Sequence, residues 1–252
     1  MSKKTFLKYE KPLLVSMLQA TTPDRIKELA DKSRGAEAFG MQFCKLENQY
    51  RNKSTYKELF DYTYPLPTYV TNYRAQGSNI DKSDDMLAKE LIEMAECGAT
   101  LCDVMGDYFD RCEGELTLDD AAVKKQIALI CELHQRGAEV LMSSHVKKFT
   151  PAERVLEIAL EHQKRGADIS KIVTGATTKE EQIENLRITA LLKKELKIPF
   201  LFLSVGECSI SRRIGAHLGN CMTLCVCEYD GLSTSAQPLL SDMIEIRKLF
   251  EK

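Results

Sequence analysis

Short, nearly continuous apolar runs alternate along this chain with longer stretches whose apolar positions recur every three or four residues. Runs of the first kind read as parallel strands covered on both faces, and stretches of the second kind as amphipathic helices. Eight strands are predicted, over 13–18, 38–44, 68–74, 100–105, 139–145, 169–174, 200–205 and 223–228. Helix signals fill the gaps between them. Thr150-Pro151-Ala152-Glu153 and Thr178-Lys179-Glu180-Glu181 both have the form of a capping box, the first with proline at the first helical position. Ser83-Asp84-Asp85 opens another helix. Gly-Ala pairs at 35–36, 98–99, 137–138 and 166–167 sit where a helix should stop and a strand begin. Glycine there supplies the left-handed conformation of a helix end.

Eight such βα units of roughly 30 residues each fill the chain, which is the size of a single (β/α)8 TIM-barrel domain spanning 1–252. An open, doubly wound sheet alternates strands and helices too. The first predicted strand is not followed by a G-x-G-x-x-G turn, so the main cue for a dinucleotide-binding version is missing.

Composition narrows the classes further. A net charge of −2 offers no basic field for nucleic acid or a membrane surface. The opening MSKKTFLKYEKPLLVSML lacks the apolar length and cleavage site of a signal peptide, and no stretch approaches the roughly 18 apolar residues of a membrane span. The nine cysteines are odd in number and contain no CxxC pair, so they read as reduced thiols of a cytoplasmic protein. Cys221, Cys225 and Cys227 cluster, but their spacing suits small buried hydrophobes better than a zinc site, and no metal is expected.

A barrel carries its chemistry at the C-terminal ends of its strands. Lys171 lies there inside the apolar run Asp168-Ile169-Ser170-Lys171-Ile172-Val173. Burial disfavours an ammonium charge and favours the free amine that attacks a carbonyl; a lysine snorkelling at a strand end is the competing reading. His145 closes the preceding strand, whereas His134 and His162 fall in polar late-helix turns and His217 in a short helix. A strand-end histidine alone is more often structural, but beside a Schiff base it can move protons at the neighbouring carbon. Arg74 ends the third strand and Arg212 follows the seventh, where each could grip a carboxylate or sit in a surface ion pair. The loop Gly231-Leu232-Ser233-Thr234-Ser235-Ala236-Gln237 adds hydroxyl and amide donors after the eighth.

The ordered set Met142-Ser143-Ser144-His145, Thr150-Pro151, Asp168-Ile169-Ser170-Lys171-Ile172, Ile210-Ser211-Arg212 and Ser233 to Gln237 resembles type I 3-dehydroquinate dehydratase, a hydro-lyase of the shikimate pathway and aromatic amino acid biosynthesis. The resemblance implies a cytoplasmic, homodimeric (β/α)8 barrel without metal or organic cofactor, acting on a small cyclic oxo acid. It implies that Lys171 forms an imine with the substrate ketone and that His145 shuttles the proton. Arg212 and Gln237 would then hold the carboxylate and ring hydroxyls, with Ser233 on a lid loop and Arg74 on a hydroxyl.

The chain also departs from the family pattern. The family carries a glutamate and an arginine two apart in the second strand, where Phe43 and Lys45 are aligned here, leaving Lys45 as a substrate-binding candidate. Ser78 falls where the family has the glutamate that orients the catalytic histidine, and Met105 where the fourth strand is acidic, with Asp103 nearby. These changes suggest a diverged member with slow handling of 3-dehydroquinate. Two alternatives stand beside a dehydratase: a Schiff-base lyase or aldolase-type enzyme on a less hydroxylated oxo acid, and a catalytically silent barrel that binds a small carboxylate.

Overall fold

The structure is a computed structural model that describes residues 5–251. Its strands are β1 (Leu13–Leu18), β2 (Ala38–Gln42), β3 (Thr68–Thr71), β4 (Leu101–Met105), β5 (Glu139–His145), β6 (Ile169–Gly175), β7 (Phe200–Val205) and β8 (Met222–Cys225). Helices alternate with them: α1 (Pro23–Lys32), α2 (Lys53–Thr63), α3 (Asp84–Cys97), α4 (Asp120–Gln135), α5 (Ala152–Lys164), α6 (Lys179–Glu195), α7 (Ser211–Leu218) and α8 (Leu240–Phe250). The sheet order is β7-β6-β5-β4-β3-β2-β1-β8. Each strand from β1 to β6 therefore neighbours its successor in sequence, and β8 lies beside β1. An open doubly wound sheet reverses its order at a switch point, so this order identifies the (β/α)8 fold.

The chain divides into two compact units, one made of residues through Asp103, 132–139 and from Leu224 onwards, the other of Val104–Cys131 and Val140–Thr223. In the second unit, β5 pairs with β6 and β6 with β7, all parallel, with Ser143 opposite Lys171, His145 opposite Val173 and Lys171 opposite Leu201. Ile172, Phe200 and Phe202 pack with Val155, Ile158 and Ala159 of α5 and with Ile188 and Leu192 of α6. Those residues define the helix-covered face. Successive strand residues point to opposite sides, so Ser143, His145, Lys171 and Val173 share the other face.

In the first unit the register places Met17, Gly40 and Tyr69 in one row on one face and Gln42 beside Thr71 on the same face. Phe39 and Met41 take the helix side. The strand gives way after Gln42 to a 3-10 turn, Phe43–Lys45. Phe43 continues the helix side and packs edge-on against Tyr56 and Phe60 of α2, at 5.1 and 5.9 Å between ring centroids.

Local capping follows the sequence in most places. Thr178 and Glu181 form the reciprocal capping box at α6, and Ser83 caps α3 by accepting from the Met86 N–H. Gly35, Gly98, Gly137 and Gly166 all have positive φ at helix ends. The box expected at Thr150 does not form. Pro151 is itself the cap residue of α5, and the Thr150 hydroxyl donates to the Lys148 carbonyl instead. β3 stops at Thr71, so Arg74 stands in the following turn rather than at the strand end.

Candidate active site

Lys171 is the third residue of β6 and is 4% exposed. His145 is the last residue of β5, two positions beyond the residue that pairs with Lys171. Adjacent strands about 4.8 Å apart and a rise of about 3.3 Å per residue put the two Cα atoms roughly 8 Å from each other on one face. Side chains of that length, rooted at that spacing, can address a single small molecule from two sides.

A carboxylate holds the histidine. Glu115 Oε2 lies 2.7 Å from His145 Nδ1 and accepts the His145 backbone N–H at 2.9 Å. An oxygen that receives two donors fixes the ring proton on Nδ1, which leaves the lone pair on Nε2. Glu115 comes from the loop between β4 and α4 and has φ of 49°. Its carbonyl accepts from Ser144 Oγ at 2.6 Å, and Leu116 beside it is buried in the core under α5 and α6. Gly106 is required at the foot of this loop, because a Cβ there would overlap the Glu115 carbonyl. Arg165 ties the loop down by donating to the carbonyls of Gly106 (3.1 Å) and Thr117 (2.7 Å) and to Gln126 Oε1 (2.7 Å).

Arg212, at the start of α7, is 8% exposed and donates through Nε to the Ser204 carbonyl at 2.7 Å. Among the described residues no carboxylate pairs with it. Burial alone pushes its guanidinium down to about 10. A desolvated cation without a counter-charge is costly, and an incoming anion would relieve that cost.

The sequence model of the type I 3-dehydroquinase family matches residues 64–252. The chain belongs to the type I 3-dehydroquinase family. It is 30% identical over 162 residues to a 3-dehydroquinate dehydratase of Klebsiella pneumoniae, covering 63% of this chain and 60% of that protein. It is 33% identical over 93 residues to one of Alkaliphilus oremlandii, covering 36% of each. The chain thus aligns with less than two thirds of the length of either relative. In fold it is similar to the 3-dehydroquinate dehydratase of Geobacillus kaustophilus (TM-score 0.83, 16% identity, 96% of this chain and 92% of that chain). It is also similar to the type I enzyme of Clostridium difficile with covalent modified comenic acid (TM-score 0.80, 18% identity, 96% and 93%).

Against the family pattern, two expectations need correction. Phe43 is 1% exposed within the α2 packing and does not stand on the face that carries Gly40 and Gln42. The two residues of β2 that lie two apart on that face are Gly40 and Gln42. The comparison with the family's residue pair therefore falls on Gly40 and Gln42, three residues before Phe43 and Lys45. Ser78 donates to the Cys44 carbonyl and accepts from Arg51, within a buried network that also holds Asn72 and Glu90. The expected loss of a histidine orienter does not follow, since Glu115 takes that position from another loop.

The remaining candidates lie in the first unit. Lys45 Nζ donates to the Leu232 carbonyl at 2.6 Å. Arg74 forks onto Asp84 through Nε (2.9 Å) and Nη2 (2.8 Å). Ser233 closes a tight turn with Asp230, and Gln237 Oε1 accepts from Gln19 at 3.2 Å. Near Gln42, the inner-face Asp103 accepts from both Tyr69 and Tyr73, and burial followed by the Asp103 charge pushes both phenols well up. Two residues escaped the sequence reading. Glu115 had only its place in an acidic loop after a strand end as a signal. His162, expected in a polar turn, is 0% exposed between Ser144 and Ser170. Among the described residues no group of three metal-ligating side chains converges, and burial pushes Cys221 and Cys225 up to about 12, away from thiolate chemistry.

Proposed function

We propose that this protein is a Schiff-base dehydratase of 3-dehydroquinate or of a closely related cyclic oxo acid. The observation that carries the reading is the placement of Lys171 and His145 on one sheet face, with Nδ1 of His145 held by the Glu115 carboxylate. Lys171 Nζ would attack the substrate ketone, and loss of water gives an iminium. His145 Nε2 would take the proton from the carbon next to the iminium carbon, whose electron pair flows into the C=N bond. The imidazolium, opposite the Glu115 carboxylate, would then return that proton to the departing hydroxyl. Water hydrolyses the imine, releasing the enone and the Lys171 amine. Each step balances without an external oxidant or metal.

Arg212 would bind the substrate carboxylate, as its burial without a counter-charge suggests, and the resemblance adds Arg74, Lys45, Ser233 and Gln237 as substrate contacts. A soluble homodimer in the cytoplasm is part of this proposal. No helix among the described residues is long and apolar enough to cross a membrane. One observation favours the second reading, a Schiff-base lyase on a less hydroxylated oxo acid: Gly40 and Gln42 offer no carboxylate–guanidinium pair for hydroxyls. A dehydration assay on 3-dehydroquinate, read as enone absorbance, alongside a panel of cyclic oxo acids separates the two. Turnover of a deoxy analogue alone would select the second. Binding without turnover of any member would reduce the protein to a silent carboxylate binder.

A further inference from the structure

Behind the face that carries Lys171 and His145, the imidazole of His162 on α5 is bonded at both nitrogens. Its Nδ1 lies 2.9 Å from Ser170 Oγ, and its Nε2 lies 3.1 Å from Ser144 Oγ. Those serines immediately precede Lys171 and His145 in the chain. Ser144 Oγ donates its proton to the Glu115 carbonyl at 2.6 Å. A hydroxyl has one proton, so Ser144 must accept from His162. The imidazole proton is therefore on Nε2, and Nδ1 accepts from the Ser170 hydroxyl. One neutral tautomer satisfies all three bonds.

The line ends at the residue that orients His145. Glu115 has φ of 49°, a left-handed conformation that a residue with a β-carbon holds only when its surroundings impose it. Ser144 holds its carbonyl by a hydrogen bond, and Gly106 leaves the room for that carbonyl. With the carbonyl fixed, the Glu115 carboxylate is aimed at both the Nδ1 and the backbone N–H of His145. We propose that His162 is a positioning residue for His145, acting through Ser144 and the backbone of Glu115. Its kinetic consequence rests on the dehydratase reading; its structural consequence, the tautomer of His145, does not.

The experiment combines ring-nitrogen NMR with kinetics on His162→Asn, His162→Gln and Ser144→Ala. In wild type, without substrate, His145 should carry its proton on Nδ1 and His162 on Nε2. Glutamine keeps a nitrogen donor at the Nε2 position and should preserve the His145 signal. Asparagine reaches only the Ser170 side, so His162→Asn and Ser144→Ala should turn His145 into a mixture of tautomers. The same two variants should lower kcat about 10- to 100-fold with little change in KM, the range for partners that orient a functional imidazole. The double variant His162→Asn/Ser144→Ala should be no slower than either single, as expected of residues acting in one line. Borohydride trapping at Lys171 should persist in all of them. A lower melting temperature with an unchanged His145 tautomer and unchanged kcat would make His162 a packing residue and overturn the proposal. Tautomer coupling in a protein that never turns over 3-dehydroquinate would instead remove the dehydratase reading and leave the positioning role standing.

Discussion

Between Ser143 on one neighbouring strand and Leu201 on the other, Lys171 is buried on the face shared with His145. An amine placed in this way meets a bound ketone without paying again for orientation. Borohydride reduction in the presence of 3-dehydroquinate should therefore add irreversible mass to the peptide containing Lys171; a label on Lys45 instead would discard the assignment. On the same Schiff-base reading, His145→Ala should leave that trapping detectable while cutting turnover by roughly 10²–10⁴, the scale of lost general acid–base catalysis. Glu115→Gln keeps an acceptor for the ring N–H but removes the charge facing the imidazolium. It should lower kcat about 10- to 100-fold with KM nearly constant. Turnover within threefold of wild type would show that Glu115 holds the loop and nothing more.

The elements explain which of these residues could be read from sequence. A strand buried on both faces is apolar throughout, so its existence is plain while its parity is hidden. β2 shows the consequence. A shift of three residues, from Gly40 and Gln42 to Phe43 and Lys45, is odd and turns the inner face into the helix face. Lys171 was legible because a charge stands out in an apolar run. Glu115 and His162 were not, because their partners lie 30 and 18 residues away on other elements. The parity makes a prediction. Phe43→Glu would bury a carboxylate against Tyr56 and Phe60 and should destabilise the fold by about 3–5 kcal/mol, seen in urea unfolding. Gln42→Arg, on the other face, should change stability far less. The helices carry a second test. Burial of Glu90 on α3 would raise its carboxyl, but hydrogen bonds from Lys82 and Asn72 and the Arg51 charge outweigh this and hold it below the usual range. A depressed folded value stabilises above the unfolded one, roughly 4.3, and that stability is lost as pH falls through the folded value. Glu90→Gln should accordingly cost stability at pH 7, and its difference from wild type should shrink on acidification below about pH 4. A constant difference down to pH 3 would show that Glu90 acts by shape alone.

At the scale of the whole molecule, strand order and the family match fix the scaffold; on the dehydratase reading the inner residues of β2 would set what it accepts. The resemblance implies a glutamate and an arginine two apart on this strand to read ring hydroxyls; here Gly40 and Gln42 stand on that face. Glycine supplies no group at all, and the space a Cβ would need is taken by Met17 Sδ from β1. A substrate hydroxyl turned toward a thioether loses its water without a partner, at about 1–3 kcal/mol, which is roughly one to two orders of magnitude in binding. Sites built for hydroxyls discriminate by such unpaired groups, so the exchange should move preference toward a less hydroxylated ring. The wild-type protein should then turn over 3-dehydroquinate with kcat/KM below about 10⁴ M⁻¹s⁻¹, the deficit lying in KM because the proposed reacting pair, Lys171 and His145 with Glu115, is untouched by the change. Restoring the reader requires space as well as charge: a side chain at Gly40 has to displace the thioether end of Met17. The triple variant Met17→Ala/Gly40→Glu/Gln42→Arg should gain roughly 10- to 100-fold in kcat/KM toward 3-dehydroquinate, mostly as a lower KM, and lose it toward a deoxy analogue. Steady-state kinetics on both compounds checks this. If the wild type already handles 3-dehydroquinate efficiently, its hydroxyls must be read from elsewhere, and Asp103 with its two tyrosines becomes the first place to mutate.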